Sequence, residues 1–116
     1  MGAMVTFLVQ SMKDPKLVEE IKTTMASTPQ HVIVGAMGAM MDPAIWTPDK
    51  IKVPTLALVT KNERFFPPDY EKFVRELVPE VDYQIWEGVS HFLMMDEPQK
   101  FNDSVLAFLK KNKLIK

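Results

Sequence analysis

The segment Val53-Pro54-Thr55-Leu56-Ala57-Leu58-Val59-Thr60 constrains the fold more than any other. It is short, almost continuously apolar and rich in β-branched residues, without the polar alternation of a strand that has one wet face. Such a run reads as a strand covered on both faces, as in a parallel sheet. A second strand signal, Val81-Asp82-Tyr83-Gln84-Ile85-Trp86, shows partial alternation. Between the two, Asp69 can cap a helix that carries Tyr70, Phe73, Val74 and Leu77 on one side, and Pro79 stops it. Strand, helix and strand in this order predict a right-handed parallel crossover. Two parallel strands leave both sheet edges unpaired and need cover on both faces. The unit therefore belongs to something larger or completes itself against another copy of the chain.

The flanking sequence is helical. Asp14 can cap a helix whose first position suits Pro15, and Leu17, Val18, Ile21 and Met25 recur at helical spacing. Ser27-Thr28-Pro29 repeats the signal, and a second helix is predicted from Pro29 to about Met40, with Val32, Ile33, Ala36, Met37 and Met40 on its apolar face. Gly35 and Gly38 lie inside it. Each costs about 1 kcal/mol relative to alanine in an exposed helix, so they predict close packing against a neighbour. Asp42-Pro43 and Thr47-Pro48-Asp49 make residues 42–52 a connector, with Trp46 packed under it. After Asp96-Glu97-Pro98 a last helix buries Phe101, Val105, Phe108 and Leu109. Met1-Gly2-Ala3-Met4 reads as vector-derived sequence, and Val5–Val9 is an apolar stretch without the basic flank of a signal peptide. The organisation expected is vector residues 1–4, a cap-like helical segment over 5–50, and a β-α-β-α portion over 51–116.

Composition narrows the function. A chain of 116 residues is one small domain, and its net charge of -1 gives no basic footprint for nucleic acid and no polybasic surface for anionic lipid. Lys110, Lys111, Lys113 and Lys116 read as favourable charge at a helix C-terminus. The absence of cysteine removes disulfides, thiolate metal sites and a cysteine nucleophile, and is compatible with a reducing compartment, so a cytoplasmic location is expected. No apolar run reaches the ~18 residues that span a bilayer. His31 and His91 have no ligand spacing around them, and the four glycines form no phosphate-binding loop, so neither a metal nor a cofactor is expected. Met37, Met40 and Met41 at helical spacing read as packing, or as the lining of an adaptable apolar pocket.

In an open parallel sheet, function gathers at the carboxyl ends of the strands. Glu63 follows the first strand and His91 follows the second, so their loops leave from the same edge. A carboxylate accepting a bond from imidazole Nδ1–H fixes the tautomer and stabilises the imidazolium. The plain alternative is a solvated glutamate and a histidine held by its loop backbone.

The sequence around both residues resembles α/β-hydrolase-fold enzymes. Val53 to Pro67 resembles their next-to-last strand and acid loop. Gly88-Val89-Ser90-His91-Phe92 followed by Asp96-Glu97-Pro98 resembles their histidine loop, with a terminal helix ending near Phe108-Leu109. The likeness covers residues 50–110, and residues 13–50 look like the end of a helical cap. It implies a partial α/β-hydrolase fold: a C-terminal β-α-β-α unit with two parallel strands, preceded by two cap-like helices. It also implies that His91 is the general base and Glu63 the triad acid, where the family usually has aspartate. Some relatives place the acid after an earlier strand instead. Phe65 and Phe92 fall at positions that often line the pocket. The substrate would be a small ester, amide or lactone, and dehalogenases and epoxide hydrolases share the architecture with an aspartate nucleophile.

One part of that pattern is missing. There is no Gly-x-Ser-x-Gly, and Ser11, Ser27, Ser90 and Ser104 are not on a strand-to-helix elbow. The chain is thus expected to be inactive alone, with the nucleophile in a preceding portion. The alternative is a non-catalytic module that self-associates as a homo-oligomer or binds a partner.

Overall fold

The computed structural model describes residues 2–46, 49–61 and 67–116. Helix formation begins earlier than the sequence led us to expect. Residues Gly2–Leu8 form α1, and Val5, Leu8, Val9 and Met12 are all buried. Their spacing of three, four and seven is that of one helical face continued into the following turn. These residues lie in the segment read as cap-like and helical, ahead of the first helix signal at Asp14.

Asp14 caps α2 (Pro15–Ala26) by accepting the Lys16 N–H at 2.9 Å, with Pro15 at the first helical position. Ile21 is buried, and Leu17, Val18 and Met25 pack around it. Helix α3 (Gln30–Met40) occupies the span its pattern predicts, yet none of its residues is buried. No heavy atom outside the helix's own backbone lies within 4 Å of where a Cβ would stand on Gly35 or Gly38. Among the described residues the close packing expected from these glycines is absent: α3 meets too few of them to need small residues. A 3-10 turn, Pro43–Trp46, follows, with the Asp42 carboxylate accepting the Ala44 N–H at 3.0 Å. Trp46 is half-exposed rather than enclosed under the connector. Its indole N–H donates to the Met40 carbonyl at 2.9 Å, and its ring leans on Phe73 at 5.6 Å.

The two predicted strands pair in parallel around the predicted helix, though the Asp69 side chain makes no capping bond to it. Strand β1 (Leu56–Thr60), helix α4 (Tyr70–Leu77) and strand β2 (Asp82–Trp86) give a mixed α/β unit with a two-stranded parallel sheet. Leu56 pairs with Asp82 and Thr60 with Trp86. A single turn, α5 (Leu93–Asp96), leads into α6 (Pro98–Lys111). Lys110 and Lys111 sit in the last turn of α6, where cations offset the carbonyl end.

Two small cores result. Val5, Val9, Met12 and Ile21 form one, with Phe92 and Met95 packed against it. Trp86, Val89 and Leu93 form the other, joined by Leu58 and Phe101 from the sheet and α6. The Lys100 ammonium lies 4.2 Å from the centre of the Trp86 ring and covers its outer face. The strands are not covered on both sides as their composition predicts: most of their residues are half-buried and Ile85 is exposed.

The molecule is correspondingly open. Its accessible area is 8520 Å² at 13.3 kDa. A folded monomer of that mass exposes about 6,400 Å², so roughly 2,000 Å² is in excess. The radius of gyration is 16.0 Å, against about 13 Å for a compact domain of this length.

Candidate functional site

The register of the parallel pair brings the carboxyl ends of β1 and β2 side by side. The Lys61 N–H extends the ladder, donating to the Trp86 carbonyl at 2.8 Å, so the two following loops leave from one edge. The ammonium of Lys61 meets the Glu87 carboxylate at 2.6 Å. Through that hydrogen bond each partner holds the other charged, with Lys61 raised and Glu87 lowered from their ordinary pKa values. Both groups are at the surface, where such pairs contribute little to stability.

The loop after β2 owes its path to four anchors. Gly88 has φ +72°, a left-handed conformation that L side chains resist. The Thr60 hydroxyl donates to the Val89 carbonyl at 2.7 Å in a buried bond across the strand ends. Asp96, at the end of α5, accepts the Ser90 N–H at 2.7 Å and the Ser90 hydroxyl at 2.6 Å through a single carboxylate oxygen. The Ser90 oxygen in turn accepts the Phe92 N–H at 3.1 Å. These bonds bracket His91, whose own N–H donates to the Leu8 carbonyl of α1 at 3.1 Å. The residue is pinned from four sides by backbone and loop chemistry.

The His91 side chain is half-buried and reaches the rim of an open groove of about 800 Å³. Val59, Tyr70, Val74, Tyr83 and Ile85 give this groove an apolar wall between the sheet and α4. The size suits a small organic molecule. Tyr83 is held protonated to higher pH than usual because burial disfavours the phenolate, an effect that Glu71 and Tyr70 enlarge and Arg75 opposes. The Arg75 guanidinium lies 5.1 Å from the Tyr83 ring centre and pairs with Glu71 at 2.9 Å. An imidazole at such a rim can accept a proton from a hydroxyl or water held in the groove and pass it to a departing group.

Of the residues singled out in the sequence, His91 and Phe92 are in the described structure, while Glu63 and Phe65 lie outside the described residues. The Phe92 ring stands edge-on to His91 at 5.3 Å and packs against the core formed by α1 and α2. Ser90, whose hydroxyl is committed to Asp96, is 3% exposed. Ser11 and His91 border a separate cleft of about 10 Å³, room for one water at most. Among the described residues no three His, Asp or Glu side chains gather as metal ligands would, and no helix is long and apolar enough to cross a membrane.

Sequence reasoning did not identify Asp96 as the residue that shapes the loop. The available signal was an acid just before Pro98, six positions after a serine in a glycine-containing turn, but nothing periodic links them. No protein-family model matches the chain, and no curated protein matches it in sequence.

Proposed function

We propose that this chain is the C-terminal portion of an α/β-hydrolase-type enzyme, in which His91 acts as the general base of a serine–histidine–acid mechanism on small esters, amides or lactones. The observation that carries the reading is the position of His91: directly after the second of two parallel strands, on a loop anchored on every side, at the rim of an apolar groove. In this reading His91 takes the proton of a serine hydroxyl as its oxygen attacks the carbonyl carbon. It then returns the proton to the leaving alkoxide or amine. Glu63 is the acid that orients the imidazole, and Phe65 and Phe92 border the substrate. The serine and the oxyanion-hole N–H groups come from polypeptide that precedes this segment, whose sheet continues on the side of β1 away from β2. A location in the cytoplasm fits the lack of cysteine.

Two measurements test this. The gene upstream of the Val5 codon should encode roughly 150–200 residues with a Gly-x-Ser-x-Gly elbow. The longer product should hydrolyse 4-nitrophenyl esters and lose about ten-thousandfold or more in kcat on His91→Ala. The 116-residue chain itself should neither hydrolyse these esters nor react with a fluorophosphonate probe. An upstream frame without an elbow, or labelling of Ser11 or any other serine in this chain, overturns the proposal. A second reading, a non-catalytic self-associating module, is favoured by the large accessible area and by exposed apolar residues such as Val34, Met41 and Val53.

A further inference from the structure

Met37, Met40 and Met41 belong to neither core and do not line the groove beside His91. Helix α3 carries Met37 and Met40, and the C-cap Met41 keeps right-handed helical angles of φ -87° and ψ -4°. At these spacings Met40 and Met41 flank Met37 one turn further on, each Cβ about 5–6 Å from that of Met37. All three residues are exposed: Met37 by 39%, Met40 by 36% and Met41 by 79%. Packing against the described residues therefore does not account for them. Three rotatable bonds and a polarisable sulfur in each side chain let the three thioethers turn onto one point.

The surroundings favour a cation. No charged residue lies between Lys22 and Asp42 in the sequence, so α3 carries no ammonium to repel one. The three methionines sit at the carbonyl end of α3, which bears partial negative charge, and the Asp42 carboxylate follows directly. Trp46 donates its indole N–H to the Met40 carbonyl at 2.9 Å, which keeps an aromatic ring close to the same turn. We propose that Met37, Met40 and Met41 bind one Cu(I) ion through their three sulfurs. Zn(II) takes thiolate, imidazole or carboxylate and Mg(II) takes oxygen, whereas soft monovalent copper accepts neutral thioethers. The chain has no cysteine, so no thiolate of its own competes for the ion. The expectation of no metal rests on histidine spacing and missing thiolates, and thioethers answer to neither. His91, Met94 and Met95 share the same spacing, but Met95 packs against the α1–α2 core and His91 is half-buried, which makes them the control.

This inference does not depend on His91 having a catalytic role. The test uses the 116-residue chain carrying ¹³C-methyl methionine, titrated without oxygen with Cu(I) delivered as its acetonitrile complex, and separately with Ag(I), its redox-inert analogue. Of the nine methionine methyl signals, those of Met37, Met40 and Met41 should shift together and saturate at one ion per chain. Zn(II) should move none of them. Met37→Leu and Met40→Leu keep the side-chain volume and should each weaken binding about tenfold or more, with circular dichroism reporting that the helix persists. Met94→Leu and His31→Ala should leave the affinity unchanged. Trp46 is 42% exposed and Trp86 only 3%, so the ion should quench the solvent-exposed part of the tryptophan fluorescence. Trp46→Phe should abolish that quench while the methyl shifts remain. Methyl signals that ignore both ions overturn the proposal, and a response to Ag(I) without one to Cu(I) overturns the assignment to copper. Full binding by the Met37→Leu, Met40→Leu double variant, or a loss confined to Met94→Leu, overturns it by placing the ion elsewhere.

Discussion

Replacing Asp96 by alanine is the most direct way to ask whether the histidine loop is built as described. One carboxylate oxygen receives both the Ser90 N–H at 2.7 Å and the Ser90 hydroxyl at 2.6 Å. Hydrogen bonds to a charged group contribute about 1.5–3 kcal/mol each, and buried donors left without a partner carry a desolvation cost. Ser90 is only 3% exposed, so water cannot readily replace the carboxylate. The two bonds share an acceptor and are not additive, which places the expected loss for Asp96→Ala at about 3–4 kcal/mol. Asp96→Asn keeps an oxygen acceptor and should lose about half as much. Ser90→Ala deletes the hydroxyl bond and the acceptor for the Phe92 N–H but leaves the Ser90 N–H bond to Asp96, for a loss of about 1–2 kcal/mol. The assay is urea denaturation followed by circular dichroism at one fixed chain concentration, since association shifts apparent stability. The double variant should be less destabilised than the two single losses together, because they remove a common bond. If Asp96→Ala stays within about 0.5 kcal/mol of the parent, as an unremarkable surface change does, the anchoring argument is refuted. Strict additivity with Ser90→Ala would refute it equally.

Two other outcomes follow from the same loop and groove. Gly88 adopts φ +72°, and beyond its chain neighbours no atom lies within 4 Å of where an alanine methyl would stand. Gly88→Ala should therefore cost conformational energy alone, about 1–2 kcal/mol by the same denaturation measurement. Tyr83 ionises above its ordinary 10.0 in the folded chain, chiefly through burial. The unfolded chain loses that proton first, so this part of the stability is intact below pH 10.0 and is lost as pH rises through the folded value. An ultraviolet titration of the phenolate should show the raised midpoint, and Tyr83→Phe should flatten the alkaline limb of the stability curve.

The crossover was legible in the sequence because it rests on local signals. A β-branched apolar run, an amphipathic helix and a second strand each announce themselves within a few residues, although the Asp69 side chain makes no capping bond. The Asp14-Pro15 start of α2 was legible for the same reason. The errors came where long-range contacts decide. Helix α1 carries an ordinary helical pattern in Val5, Leu8, Val9 and Met12, but within the cap-like segment over 5–50 the sequence reading placed the first helix only at Asp14. The glycines of α3 implied a close neighbour that the described chain does not provide. In the candidate site, His91 was singled out through the chemistry of its loop. The Asp96 anchor was not, because a side chain bonding six residues back across a turn leaves no repeat to read.

The bond between the His91 N–H and the Leu8 carbonyl joins two segments far apart in the polypeptide. On the ribosome α1 and α2 emerge well before the loop that completes their apolar cluster through Phe92 and Met95, and must wait for it. Ordering of that loop is therefore a late event, with a high loop-closure cost. Deleting α1 would unmoor a histidine encoded far downstream of it.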